Sequence, residues 1–136
     1  MSSPAAFTSI QTYLRDNWTV TPIYFENEKW HFPEPPAPFL LVEVYGDFYN
    51  QASIGADPQG ENLFREIGQI YVHVMAPRGS GTAQARTYAK QIVDLFRGNE
   101  DAGVRPRDMS IGAGEPGTED GNYFRMTVTI EWERDD

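Results

Sequence analysis

From residue 123 to residue 133 the chain alternates without a break. Phe124, Met126, Val128, Ile130 and Trp132 fall on one side; Tyr123, Arg125, Thr127, Thr129, Glu131 and Glu133 fall on the other. A period of two sorts side chains this way only in a β-strand, where successive residues point to opposite faces. A strand that is oily on one face and polar on the other belongs to a sheet with something packed on the oily side. That requirement constrains everything else in the chain.

Two further segments share the pattern. Leu40, Val42 and Val44 alternate with Leu41, Glu43 and Tyr45, and Ile70, Val72 and Val74 alternate with Tyr71, His73 and Met75. These predict a strand beginning near residue 40 and a long strand over 63–75, which together form a large hairpin with an elaborated tip. Residues 47–62 read as loop, and "DPQG" at 57–60 suits a type I turn. A short strand is expected at 23–26. Four prolines between Pro33 and Pro38 exclude helix and central strand there, so residues 27–39 form a stiff, extended lead-in. Residues 108–113 supply a partner for the last strand, with "GEPGTEDGN" as the turn between them.

The material to cover the sheet lies in two helical patterns. Phe7, Ile10, Leu14 and Trp18 make one stripe on a helix over 5–18, entered through Ser2 or Ser3 and Pro4. Ala85, Ala89, Ile92 and Phe96 make another on a helix over 82–97, with Val93 beside it, Ser80 or Thr82 as its cap, and Gly98 as its stop. The expected fold is α+β, a mainly antiparallel sheet with two helices packed on one face. At 136 residues, with no repeat and no linker, residues 1–136 are expected to form a single domain.

Composition removes several functions. With no cysteine, disulfides, thiolate zinc, iron–sulfur clusters and a cysteine nucleophile are excluded. No apolar run is long enough to span a bilayer as a helix, and no membrane is expected. The N-terminus lacks the pattern of a secretory signal, which favours the cytoplasm as the site of synthesis. A net charge of −9 opposes broad binding to nucleic-acid phosphates, which depends on Lys and Arg displacing counterions.

"APRGSGTAQAR", at 76–86, is the one glycine-rich turn with a basic residue ahead of a helix. A phosphate loop would need the Walker spacing and its lysine, and a dinucleotide loop would need a third glycine where Gln84 stands. The stretch therefore turns a strand into a helix and leaves Arg78 at its tip. His31 is expected to pack in the lead-in, and His73 to sit on the polar face of its strand. Neither histidine has a nucleophile elbow or a zinc pattern around it. Glu115, Glu119 and Asp120 do not fit a calcium loop. Glu131 and Glu133 share a strand face with no cleft indicated. Arg105 and Arg107, read as a loop around Pro106, are too few for a nucleic-acid patch. No enzyme, metal or cofactor is expected.

Two blocks together carry a resemblance. The first is "FENEKWHFPEPPAPFLLVEV" at 25–44; the second is "GQIYVHVMAPRGSGTAQARTYAKQIVDLFRG" at 68–98, and "NQASIG" at 50–55 lies between them. In order and character they resemble the tail terminator-like family of long-tailed bacteriophages and prophages, over roughly residues 5–98. The resemblance implies a structural protein without cofactor. It implies a homo-hexameric ring that caps the head-proximal end of the tail tube and ends tube polymerisation. It also implies a docking surface for the head–tail connector and a place in the tail or neck of the virion after assembly in the host cytoplasm. DNA would pass the lumen without specific binding, which the acidic balance suits.

The family has no catalytic residues to carry over. The candidate partner-binding residues are Tyr49, Gln51 and Ile54 in the long loop, toward a neighbouring subunit or the tube protein. Arg78 and Gly79 lie at the other end of the strand, toward a second partner. The competing readings are a head–tail connector or neck completion protein, a monomeric non-viral binding module, and an enzyme using His73 or the Glu131 pair.

Overall fold

The computed structural model describes residues 2–31, 33–112, 118–120 and 123–136. Helix α1 (Pro4–Asn17) is followed by strands β1 (Ile23–Phe25), β2 (Phe39–Gln51) and β3 (Phe64–Pro77). Helix α2 (Ala83–Phe96) and strands β4 (Arg105–Ile111), β5 (Thr118–Asp120) and β6 (Tyr123–Asp135) complete the order. The strands form one sheet in the order β1-β2-β3-β6-β4, with β5 paired to β6 off that path. All pairings are antiparallel except β1 with β2. The fold is α+β, as the alternation requires.

The helices cover the face that the strand patterns mark as apolar. Ile10, Leu14, Ala85, Ala89, Ile92 and Phe96 close over Val42, Val44, Ile70, Val72, Val128, Ile130 and Trp132 in one buried cluster. In α1 the fully buried positions are Ala6, Ile10 and Leu14; Phe7 is only partly buried and meets Phe25 edge-on at 6.0 Å. Ser3 caps α1 by accepting from the Ala6 N–H, and Pro4 occupies the first turn, where its missing N–H has no cost. Trp18 turns down at the C-terminal end of α1, against Tyr88 of α2. Gly98 (φ 66°) stands just past the end of α2, in the left-handed conformation that stops a helix. Where the Trp132 indole crosses β3 only glycine fits: a Cβ at Gly68 would lie 1.9 Å from the Tyr45 carbonyl oxygen and 2.7 Å from the indole.

Several expectations need correction. β2 runs to Gln51, so the loop is shorter than 47–62. The strand persists because register with β3 resumes after a bulge between Gly46 and Phe48, a feature that single-strand patterning does not reveal. The turn at the tip starts one residue later than "DPQG" suggests. Pro58 is extended (ψ 162°) and its carbonyl accepts from Glu61, with a 3-10 turn over Gln59–Glu61. Arg105 and Arg107 are in β4 and not in a loop. Thr82 holds the N-cap position of α2 but makes no capping bond; its hydroxyl accepts instead from the Arg86 Nε. His31 is exposed and not packed. Of the expected turn at 114–122, residues 118–120 are strand. The remainder, like Ala113 of the expected partner strand, lies outside the described residues.

The second face of the sheet is not uniformly polar. At one end Phe39, Met75 and Tyr123 form a separate buried cluster, with Tyr24, Trp30 and Leu41 packed against it. Trp30 stacks on Tyr24 at 5.6 Å, and the Ala37 N–H donates to the Tyr123 hydroxyl at 3.2 Å. The proline-rich lead-in thus crosses that end of the sheet and covers it.

Candidate interaction surface

The hairpin tip follows from local hydrogen bonding. The Ala52 and Ser53 N–H groups donate to the Leu63 carbonyl (2.7 and 3.2 Å), and the Ser53 hydroxyl accepts from the Leu63 N–H at 2.7 Å. Asn62 is 8% exposed. Its side-chain oxygen accepts from Ala56 at 2.9 Å, and its amide donates to the Gln59 carbonyl at 3.0 Å. Gln51 donates to the Ser53 carbonyl and accepts from Gln59, both at 2.8 Å. Every one of these bonds is local, so the loop is preorganised without a core of its own.

The loop and the end of β2 that leads into it display apolar groups to solvent. Ile54 is 91% exposed, Phe48 63% and Tyr49 49%. The Tyr49 ring stacks on Phe64 and its hydroxyl donates to Asp136, which pushes the phenol pKa up. Of the residues singled out from the sequence as loop, Tyr49 and Gln51 are in β2 and share one of its faces, and Ile54 lies in the loop beyond. Arg78 and Gly79 do not join them. They sit in the turn after β3, at the far end of a 14-residue strand, about 45 Å away along its axis. Gly79 (φ 85°) has no neighbour that a Cβ would meet, so its glycine serves the turn. Ser80 closes that turn onto the Pro77 carbonyl.

Next to the tip, charged residues tie three strands together. Arg65 of β3 and Arg105 of β4 both grip Asp135 of β6 (2.7 and 3.1 Å), and Arg105 reaches Glu133 at 3.1 Å. Arg107 also donates to Glu133. Hydrogen bonds from Arg65 and then Arg105 hold the Asp135 carboxyl at about 2. Burial pushes Glu133 up, but the bonds from Arg107 and Arg105 outweigh it and lower the pKa. Glu133 is thus committed to arginine, while Glu131 is exposed.

The outer face of the sheet carries an open cavity of about 640 Å³, lined by Glu43, Tyr45, Tyr71, His73, Thr127 and neighbours. His73 Nδ1 lies 2.8 Å from the Thr127 hydroxyl and Nε2 lies 3.6 Å from Glu43. Glu43 also accepts from Tyr45 at 3.0 Å, which raises the tyrosine pKa. The order hydroxyl, imidazole, carboxylate mimics a nucleophilic triad, but a triad also needs backbone donors converging on an oxyanion. Here Thr127 lies in the middle of β6, paired with His73 of β3, and its carbonyl accepts from Gly112; in such extended backbone successive N–H groups point to opposite sides and do not converge. The arrangement reads as a polar cross-strand network. Among the described residues no group of three or more metal-ligating side chains comes together, and no helix is long and apolar enough to cross a membrane. Glu115 lies outside the described residues.

Sequence reasoning missed Phe48, which it placed in an unstructured loop. It also missed the open backbone edge beside Phe48. An aromatic pair at 48–49 within a polar stretch was the available signal.

Comparison with known proteins adds kinship. Residues 6–132 match the family model described as phage tail terminator protein. No curated protein sequence matches. One solved structure superposes with a TM-score of 0.63 at 21% identity, over 95% of this chain and 90% of the other, a likeness of fold alone.

Proposed function

The chain belongs to the phage tail terminator protein family, and from that membership we infer that it caps the head-proximal end of the tail tube. It is a structural protein of the phage tail and a component of the virion. In the proposed role, a homo-hexameric ring seats on the last layer of tube protein, ends polymerisation, and offers its free side to the head–tail connector. Assembly takes place in the host cytoplasm. The family match over nearly the whole chain carries this reading.

The surfaces fit it. A terminator must hold its neighbours and two different partners, and this chain has organised ends at both extremes of β3. The hairpin tip with Tyr49, Gln51 and Ile54 is assigned to a neighbouring subunit or the tube, and the Arg78–Gly79 turn to another partner. A chain of net charge −9 lets DNA pass the lumen without adhering.

Electron microscopy of particles assembled with and without the protein tests the role. Overlong, headless tails in its absence are expected. Tails of normal length that fail to join heads would make it a connector, and normal particles in both cases would remove it from assembly.

A further inference from the structure

The sheet ends in two open edges that complement one another. β2 pairs with β1 only over Leu40, Leu41 and Val42. Among the described residues its outer side has no partner strand beyond Glu43, and β4 is the last strand on the opposite side. An open strand presents unpaired N–H and C=O groups at every second residue. The ladders identify which ones. Ala52 donates to Leu63, and Phe64 and Asp136 exchange both backbone bonds (3.1 and 2.8 Å). Stepping back by twos along the register, Asn50 and Phe48 bond to β3, while Tyr49 and Gln51 point outward. On the other edge Gly112 donates to Thr127 at 2.8 Å. That turns Ser110 toward β6 and leaves Met109 and Ile111 pointing outward.

Side chains and charge match as well as backbone. Tyr49 is level with Glu66, and Ile111 with Val128, which puts both on the helix-bearing face; they are 49% and 39% exposed. Beyond the bulge, residues 48–51 carry neither proline nor charge, the usual devices that keep an edge from pairing. Residues 43–61 contain Glu43, Asp47, Asp57 and Glu61 and no Lys or Arg, whereas β4 opens with Arg105, Pro106 and Arg107. Two β2 edges would bring like charges together; against β4, whose arginines are already balanced by Glu133 and Asp135, that repulsion is smaller.

Direction and spacing are compatible with closure. β2 and β4 run in opposite senses within one copy, because three antiparallel steps separate them. Copies related by rotation about a ring axis therefore meet edge to edge as antiparallel strands. Placing Ile111, level with Val72, beside Tyr49, level with Glu66, shifts the neighbour six residues along the strand, about 20 Å. The four strands β2, β3, β6 and β4 span about 19 Å across the sheet. That ratio tilts the strands by about 45°, the upper end of the range in closed sheets.

We propose that β4 of one copy adds to the open edge of β2 in a second copy, antiparallel, with Tyr49 opposite Ile111 and Gln51 opposite Met109. Repeated head to tail, this pairing builds the ring, and it rests on the ring reading above for its closure.

The chain has no cysteine, so engineered thiols report cleanly. Opposed residues in such a hydrogen-bonded pair have Cα atoms about 5.5 Å apart, within disulfide reach. Tyr49→Cys and Ile111→Cys copies are co-produced and oxidised, both as concentrated free protein and in purified tails, with folding checked by circular dichroism. A disulfide joining position 49 of one copy to position 111 of another is expected, and the double variant should give a ladder of covalent oligomers. Folded variants that form no such link in either preparation would overturn the pairing. Gln51→Pro removes one outward N–H and no ladder bond; it should weaken self-assembly at least tenfold more than Gln51→Ala, which loses the same side chain and keeps the N–H. Wild-type assembly by Gln51→Pro also rejects the proposal. Overlong tails without the protein, together with no 49–111 link, would leave capping intact and reject this edge. The link together with normal tails in the protein's absence would do the reverse.

Discussion

Glu66 is a carboxylate at 3% exposure that sits beneath the N-terminus of α1. It accepts from both the backbone N–H and the hydroxyl of Ser3, each at 2.6 Å. The helix terminus supplies unpaired donors and partial positive charge, so an anion belongs there. Glu66→Ala strands those donors and is expected to cost about 2 kcal/mol, read from urea unfolding. Gly68 answers to space instead of charge. A methyl group there meets the Tyr45 carbonyl and the Trp132 ring, and since backbone cannot move aside cheaply, Gly68→Ala should cost about 3 kcal/mol; a circular dichroism melt checks this. Asp135 gives the pH dependence. Its folded pKa, about 2, lies below the ordinary carboxylate value of about 3.9. Its contribution is therefore fully present above about pH 4 and is lost as pH falls through about 2. Melting temperature should drop across that window, and Asp135→Asn should flatten the slope.

Among the elements, the β2–β3 hairpin was legible as two strands, but its length was not. Val44 and Ile70 announce a one-faced strand; Asp47 to Gln51 do not, because the bulge breaks the alternation and the segment has solvent on both sides. The loop beyond it is held by bonds among Gln51, Ser53, Gln59 and Asn62. Polar residues in a loop sequence do not reveal which of them pair. Since those bonds are confined to the tip, deleting residues 52–60 should leave the fold and its melt nearly intact. If the tip makes partner contacts, the deletion lowers the oligomeric mass in gel filtration and alters tail length. An unchanged mass together with unchanged tails would show that the loop merely closes the hairpin.

At the scale of the whole molecule, net charge and topology act together. The arginines of β3 and β4 are engaged by Asp135 and Glu133, so no basic stripe forms there from residues that the sequence shows as charged. Binding to duplex DNA at about 0.15 M salt should be undetectable in a gel-shift assay; a tight complex would contradict the passive lumen proposed above. The sequence by itself determined the α+β class, the two helix stripes, the apolar sheet face and the family, because periodicity and motif order are local properties of a chain. Only the tertiary structure decided that β1 joins in parallel, that the proline-rich lead-in buries Phe39 and Tyr123, and that Arg105 pairs with Glu133. It also decided which backbone groups of Tyr49, Gln51, Met109 and Ile111 point outward. Those are properties of register and strand order, fixed by contacts between residues tens of positions apart, and no single stretch of sequence encodes them.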